Sequence, residues 1–501
     1  MLNRLNGLST AIVACIGLSA ILVWLDFSGF QAQDLEFLGA KALVARYGPE
    51  PRLESIGFVF PPILLYGALI VGSPITLQVL LGALLVGLLA RKLTALPIAA
   101  GWRWSWLVLI VVHPAFVLML VASPAWTLTT FLLMLVSTQL WGMVNAGSLE
   151  SSAVSPSMFS LVLLGLGLAP LMLLRYEAWL LLLVTGVILG LRYHQEPWPF
   201  QSTIIAITLF MSLVFIGAWL YANWLFTGDV SHFLTSPYSG LRLPGTEMFV
   251  QQAGFWASWR EAGVWIAYVV PAYVVTAAWV LWHIPRRILA LCILLIPLMF
   301  PAVALWQGSF VPQLSRFGIV LGMLPLLWRQ CPLTRFWQRS LITAMLMISV
   351  GSSAFLLQAG QQVPEETYLW RIFTHQSLPP ASSVGQWADQ QQAKRQIAEA
   401  LSRHLSPGQH VLLDDVASFP VVYLVSDSRP FIMPYQYEFV PALQHPNLFA
   451  DFILVSGANS PTKEQDRVLR FWPELEHGVL PHYTELVSTP FYRLLQRVRP
   501  Q

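Results

Sequence analysis

The stretch FSGFQAQDLEFLGAKALVARYGPEPRLESIGFVFPP, residues Phe27 to Pro62, decides how this chain is organised. It separates two apolar runs and concentrates charged residues, which make up only 11% of the chain. The charged residues within it are Asp34, Glu36, Lys41, Arg46, Glu50, Arg52 and Glu54. The sequence predicts that these acids and bases lie in water between two membrane-compatible segments.

Composition decides the class of the protein. Hydrophobic residues make up 56% of the chain, whereas about a quarter of a soluble domain is charged. We therefore predict a polytopic α-helical membrane protein. The net charge of +3 is small and dispersed, which argues against nucleic-acid binding. The three cysteines lie in or beside apolar runs and show neither metal-binding nor disulfide spacing.

Hydropathy and charge bias predict the topology. Ser9 to Phe27 is too long for a removed signal peptide and lacks a small-residue cleavage site, so we expect a retained anchor. Arg4 before it predicts a cytoplasmic amino terminus. The segment opening with FVFPP is short for a span and is expected to be interfacial. With the anchor included, we predict about eleven spans in the inner (cell) membrane, with no pair of broken helices in two matching halves.

Near residue 361 the composition changes to that of a water-soluble protein. This change predicts a membrane domain over 1–360 and an extracytoplasmic α/β domain over 361–501. VGQWADQQQAKRQIAEALSRHL has helical spacing, and HVLLDDV and ADFILVS are typical of strands. TKEQDRVLRFWPEL is expected to form a second helix and TELVSTPFYRLLQRV a terminal strand or hairpin. This order favours a partly parallel sheet. Asp414 and Asp415 follow a strand and either bind a ligand or cap the next helix.

Asp34 and Glu36 are the first candidate site residues, because they lie close to the point where a helix leaves the bilayer. A carboxylate there can accept a proton from an attacking hydroxyl or hold a cation against a phosphate. Alternatively, the two acids belong to a solvated face or to the start of a short interfacial helix, with Lys41 as an ordinary partner.

Arg175, Tyr176 and Glu177 lie at a predicted outer helix junction, where ionisable groups must face a cavity, each other or headgroups. The Arg175 fork suits a lipid phosphate, although a plain pair with Glu177 is the alternative. Arg316, in VPQLSRFG, either extends to the headgroups or binds an anion. His232 and Tyr238 lie on the same predicted side and are further cavity candidates, or incidental surface residues.

The order of these features resembles the GT-C class of polytopic glycosyltransferases, which use polyprenyl-phosphate-linked sugars and include protein mannosyltransferases and the lipid A aminoarabinose transferase. QAQDLEF resembles the modified D-x-D region of that class, and FVFPP resembles its Tyr/Phe-Pro-Pro signature. LGLGLAPLMLLRYEAW resembles its LGLA…R-x-E-G-W segment, with Ala178 where glycine is commoner. A soluble carboxyl-terminal domain follows the last span in both.

The resemblance implies an inverting transfer of a sugar from a polyprenyl phosphate to a lipid, glycan or protein acceptor on the outer face. It implies Asp34 as the base, with Glu36 as support or as an alternative base, and phosphate binding by Arg175 and Arg316. No cofactor is required, and a divalent cation at Asp34 and Glu36 is optional. Two rivals remain: a lipid-linked-sugar transporter or flippase, and a non-catalytic scaffold of an envelope glycan assembly.

Overall fold

The computed structural model describes residues 7–48, 62–145, 158–235, 254–306, 313–331, 333–360, 363–377, 382–434 and 436–498. Contacts divide the chain into two units. The first, here called the membrane unit, contains the described residues of 1–24, 75–221 and 250–370. The second, called the sheet unit, contains those of 25–74, 222–249 and 371–501.

The helices follow one another in the order α1 (Gly7–Phe27), α2 (Gln33–Tyr47), α3 (Ile63–Val71), α4 (Pro74–Thr94), α5 (Ala100–Val111), α6 (Pro114–Ala122), α7 (Pro124–Asn145), α8 (Met158–Met172), α9 (Leu180–Arg192), α10 (Trp198–Thr227), α11 (His232–Thr235), α12 (Phe255–Val269), α13 (Pro271–His283), α14 (Arg287–Trp306), α15 (Gly318–Trp328), α16 (Phe336–Gln358), α17 (Pro364–Thr374), α18 (Ser383–His404), α19 (Asp415–Val425), α20 (Phe439–Gln444), α21 (Pro446–Phe449) and α22 (Arg467–Phe471). Short 3-10 helices cover Tyr176–Trp179 and Leu314–Phe317.

Among the described residues, five helices are long and apolar enough to cross a membrane: α1, α4, α10, α14 and α16. The number rises to seven if each of two bent helix pairs counts as one span. The predicted count of about eleven also includes shorter apolar helices such as α8 and α15. The chain is therefore a multi-pass α-helical membrane protein with a separate α/β sheet, and the predicted fold class is confirmed.

Two pairs of apolar helices among the described residues are sharply bent at a short break, whereas the absence of broken helices in two matching halves stays a prediction. α5 and α6 meet at a bend of 61°, and α12 and α13 meet at a bend of 109°. Pro114 and Pro271 begin the second helix of each pair. Proline lacks a backbone donor and clashes with the preceding turn, so a helix that reaches it bends or ends.

Both breaks are anchored to α16. The Ser349 hydroxyl donates to the carbonyl of Val269, and the Ser352 hydroxyl donates to that of Tyr268 at 2.8 Å. His113, before Pro114, places Nε2 3.0 Å from Ser349 Oγ. Its Nδ1 accepts from the amide of Ala115 at 3.2 Å. These side chains satisfy backbone groups that a broken helix leaves without partners in an apolar surrounding.

The sheet unit contains a five-stranded sheet in the order β2-β1-β3-β5-β4. The strands are β1 (Val411–Leu413), β2 (Phe431–Ile432), β3 (Phe452–Ser456), β4 (Tyr483–Ser488) and β5 (Tyr492–Arg497). β1 pairs in parallel with β2 and β3, whereas β5 is antiparallel to β3 and β4. The predicted helix at α18, the two central strands and the terminal hairpin are therefore confirmed.

Local capping explains two details of this sheet unit. Asp414 is the N-cap of α19, where its carboxylate accepts from the amide of Val416, so the capping interpretation is confirmed. The predicted single helix over residues 462–475 was wrong. Asp466 begins α22 as its N-cap, and Pro473 begins a new turn after it, so the segment forms short pieces instead.

α2 is part of the core of the sheet unit. Ala40 and Val44 belong to the same buried cluster as Ile397, Leu401 and Val411. Glu36 and Lys41 are only 1% and 6% exposed, so the prediction that these charges lie in water was wrong for both. Their apolar neighbours come from residues far along the chain, which the local sequence does not display.

Candidate functional site

Two arginines of the membrane unit meet at one tryptophan. The guanidinium carbon of Arg175 lies 3.9 Å from the ring centroid of Trp126, and that of Arg316 lies 5.5 Å from the same centroid. Trp126 is 2% exposed and packs edge-on against Phe300 of α14. Cations over an indole face are attracted by its quadrupole, and this attraction grows when water is excluded.

Arg175 also binds Glu177. Its Nη2 lies 2.8 Å from Oε1 and its Nε lies 3.3 Å from Oε2, which is a two-pronged pairing. The pair lies at the short turn Tyr176–Trp179 between α8 and α9. Tyr176 packs edge-on against Trp179 in the same turn. The Arg–Glu pair that the sequence offered as one alternative is present, and it orients Arg175 over Trp126.

Arg316 is held through its backbone. It lies in the 3-10 helix Leu314–Phe317, whose first two amides, those of Leu314 and Ser315, donate to the carboxylate of Glu366 at 2.8 and 2.9 Å. Glu366 belongs to α17 and is 5% exposed. Burial raises the pKa of its carboxyl, although the two hydrogen bonds and the charge of Arg316 oppose that rise. Glu366 therefore fixes the turn that presents Arg316.

In this cluster two guanidinium groups lie at a buried indole, one carboxylate pairs with Arg175, and a second binds the turn that carries Arg316. Guanidinium planes can stack on the ring while their edges bind the oxygens of a phosphate. Glu177 and Glu366 balance the positive charge in the absence of an anion. The two guanidinium groups therefore have the chemistry to bind a phosphate, and the phosphate-binding role of Arg175 and Arg316 stays a prediction.

In the sheet unit, Asp34 and Glu36 have different surroundings. Both lie in the first turn of α2, where Asp34 is exposed and Glu36 is buried. Lys394 of α18 donates to Glu36. Burial raises the pKa of Glu36, against the lowering effect of Lys394. Because Lys394 occupies the Glu36 carboxylate and repels cations, Asp34 is the acid of this pair that can meet a substrate.

The remaining predicted site residues fall into two groups. His232 lies half-buried in the four-residue helix α11 of the sheet unit. Tyr238 and the residues 58–61 of the FVFPP signature lie outside the described residues. Within the part of the chain that the structure describes, no group of three or more His, Cys, Asp or Glu side chains could hold a metal ion.

Three residues of these arrangements were missed in the sequence: Trp126, Glu366 and Lys394. Trp126 follows the SPA turn between α6 and α7 and looked like one aromatic among many. Glu366 lies just after the last span. Lys394 had a usable signal, because it precedes Ile397 by three and Leu401 by seven residues and so shares their apolar helix face.

No protein-family model matches the chain, and no curated protein matches it. Among solved structures, the chain is similar to the crystal structure of ArnT from Cupriavidus metallidurans bound to undecaprenyl phosphate. The two are 12% identical, the match covers 97% of this chain and 99% of that chain, and the TM-score is 0.43. At this identity and TM-score, the likeness assigns neither an activity nor a substrate to the chain.

Proposed function

We propose that this protein is an inverting glycosyltransferase that moves a sugar from a polyprenyl-phosphate donor to a lipid, glycan or protein acceptor on the extracytoplasmic face of the inner membrane. The observation that carries the proposal is the pairing of Arg175 and Arg316 on Trp126. Two sequence-distant arginines that meet on a buried ring in an apolar unit are typical of a functional site, and guanidinium groups bind the oxygens of a phosphate. The resemblance to the GT-C motifs independently implies a polyprenyl-phosphate donor.

The proposed reaction has one displacement step. The acceptor hydroxyl oxygen attacks the anomeric carbon, the bond from that carbon to the phosphate oxygen breaks, and the sugar configuration inverts. Asp34 takes the proton of the hydroxyl as general base. Arg175 and Arg316 stabilise the charge that develops on the departing lipid phosphate. Glu177 and Glu366 orient the two arginines, and the step requires no metal ion, although a divalent cation at Asp34 and Glu36 is compatible with it.

Transfer itself is tested with the full chain in lipid nanodiscs. A panel of radiolabelled undecaprenyl-phosphate-linked hexoses and pentoses is offered with envelope lipids and glycans of the source cells as acceptors. We expect labelled acceptor with the unaltered chain and a fall in kcat of about 100-fold or more in Asp34→Asn, because the general base is lost. Asp389→Asn removes an exposed carboxylate of α18 and serves as the matched control. Equal transfer by Asp34→Asn would refute the base assignment.

The proposed side of the membrane is tested separately. Single cysteines at Asp34 and Arg286, in a chain lacking Cys15, Cys292 and Cys331, are labelled with an impermeant maleimide in intact cells. We expect Asp34→Cys to react from outside and Arg286→Cys to react only after permeabilisation. Labelling of both from one side would overturn the topology.

A second candidate function is a flippase or transporter of lipid-linked sugars. The bends between α5 and α6 and between α12 and α13 favour it, since broken helices are common where transporters bind substrate. A flippase would move labelled undecaprenyl-phosphate sugar between leaflets and leave the sugar on the lipid. Asp34→Asn would not alter that movement, so the same panel separates the two functions.

A further inference from the structure

We propose that Lys394 of the carboxyl-terminal α/β domain is a positioning residue for sugar transfer, which sets the place of Asp34 by holding Glu36 of α2. The inference rests on the proposed function and extends it in one respect. Glu36 becomes the anchor of α2, and the base role is confined to Asp34. The soluble domain thereby supplies part of the catalytic architecture.

The first support is the depth at which α2 is packed. Phe37 meets Phe419 of α19 edge-on, with ring centroids 5.3 Å apart. A Cβ added at Gly39 would lie 2.3 Å from the ring of Tyr423, so glycine permits this close approach. The Ser428 hydroxyl donates to the carbonyl of Leu43 at 3.0 Å. These contacts run along the helix, so α2 is seated against the carboxyl-terminal domain over most of its length.

The second support is a pair of buried ion pairs. Lys394 donates to Glu36, and Lys41 donates to Asp415. The side chains of the first pair are 1% and 2% exposed, and those of the second are 8% and 7% exposed. Apolar contacts tolerate sliding and rotation, whereas two buried charges are satisfied in one register of the helix only. Buried polar partners can specify register in this way at some cost in stability.

The third support is the helical geometry of Asp34 and Glu36. Two residues apart, they project from well-separated directions, because a helix turns once in 3.6 residues. When Lys394 holds Glu36 in the interior, Asp34 is turned outward, and it is exposed in the structure. Rotation of α2 by one residue would move the Asp34 carboxylate by several ångströms. A misplacement of about 1 Å can reduce a rate by about 100-fold.

The test uses three full-length chains: Lys394→Met, Lys394→Arg, and the charge exchange Glu36→Lys with Lys394→Glu. Hydrogen exchange of residues 33–47 reports how firmly α2 is held. We expect Lys394→Met to speed this exchange by about 100-fold, since it leaves Glu36 buried beside an apolar side chain. The double variant Glu36→Lys with Lys394→Glu, and Lys394→Arg, should each return the hydrogen-exchange rate towards that of the unaltered chain.

Steady-state kinetics are then measured with the labelled donor that the unaltered chain uses best. They separate an effect on the position of Asp34 from an effect on the stability of the fold. We expect Lys394→Met to lower kcat by about 100-fold per folded molecule while the KM for the donor stays unchanged, because the arginine cluster is untouched. The charge exchange should restore most of kcat. If Lys394→Met misfolds, Lys394→Arg and the charge exchange still test the pair.

The outcomes that overturn the inference are distinct. An unchanged kcat in Lys394→Met with faster α2 exchange would show that the position of Asp34 does not depend on this pair. The double variant Glu36→Lys with Lys394→Glu could restore slow hydrogen exchange of α2 without restoring kcat. That result would show that Glu36 itself is chemically required. Absence of transfer from every donor by the unaltered chain would instead refute the proposed function, and the inference with it.

Discussion

Lys394 of α18 donates to Glu36 of α2 across 358 positions of the chain, and both side chains are buried. This relationship makes the loop after the first span part of the carboxyl-terminal domain. A second pair, Lys41 with Asp415, repeats the connection farther along α2. The acid that remains exposed in the first turn of α2 is Asp34.

Lys41→Met is expected to destabilise the sheet unit by about 3–5 kcal/mol, because Asp415 would stay buried without its ammonium partner. Urea unfolding of the detergent-solubilised chain, followed by reactivity of a cysteine placed at the buried position Leu454, measures the change. Arg403→Met is the matched control. Its partner Glu399 is 64% exposed, so its loss should cost less than about 1 kcal/mol. Equal effects of the two substitutions would contradict the prediction.

Arg175→Lys is expected to weaken the binding of undecaprenyl phosphate by about tenfold or more. Lysine keeps the charge but loses the planar fork that pairs with Glu177 and stacks on Trp126. Native mass spectrometry of the detergent-solubilised chain with undecaprenyl phosphate measures the affinity. Arg429→Lys changes an exposed arginine of the sheet unit and should leave it unaltered. Undiminished binding by Arg175→Lys would remove that arginine from the phosphate site.

Glu366→Gln is expected to weaken the same binding by a smaller factor, about three- to tenfold. A glutamine can accept one of the two amide hydrogen bonds but turns its own NH2 towards the other, which loosens the turn that carries Arg316. Glu365→Gln, one residue earlier, is the control. The prediction fails if both variants bind undecaprenyl phosphate alike.

The sheet unit is expected to lose stability as pH rises from about 4 towards 7. Burial, with the neighbouring carboxylates of Asp415 and Asp466, raises the pKa of Asp414 to about 7. This pKa is higher than the pKa of the same group in the unfolded chain, so protonated Asp414 stabilises the folded protein at low pH. That stabilisation is lost as the pH rises through the pKa of Asp414 in the folded protein.

Asp414→Asn should flatten this pH dependence. The side-chain oxygen of the asparagine still accepts from the amide of Val416, but its NH2 group faces the amide of Arg467, which is also a donor. The free energy of unfolding of the variant is therefore lowered by an amount that does not change with pH. Urea midpoints at pH 4.5 and 7.5, read from the Leu454→Cys reporter with 4,4′-dithiodipyridine, provide the comparison. A variant with the same slope as the parent would show that another group titrates.

Composition and periodicity determined most of the architecture. Runs such as those at α1, α10, α14 and α16 are long and apolar enough to cross a membrane. The alternation of helices and strands after residue 361 predicted the sheet, since period and turn residues are local properties. The motifs around Asp34 and Arg175 indicated these two residues, and Arg316 was indicated by its position at the predicted start of a span.

Only the tertiary structure decided which of these charges are in water. Whether Glu36 is a free acid depends on Lys394, and whether Arg175 and Arg316 share a ligand depends on the position of Trp126 between them. Such pairings join distant positions, and burial and electrostatic interaction depend on distance in space rather than along the chain. The local sequence therefore indicated the candidate side chains, and the packing determined which partners Glu36, Arg175 and Arg316 contact.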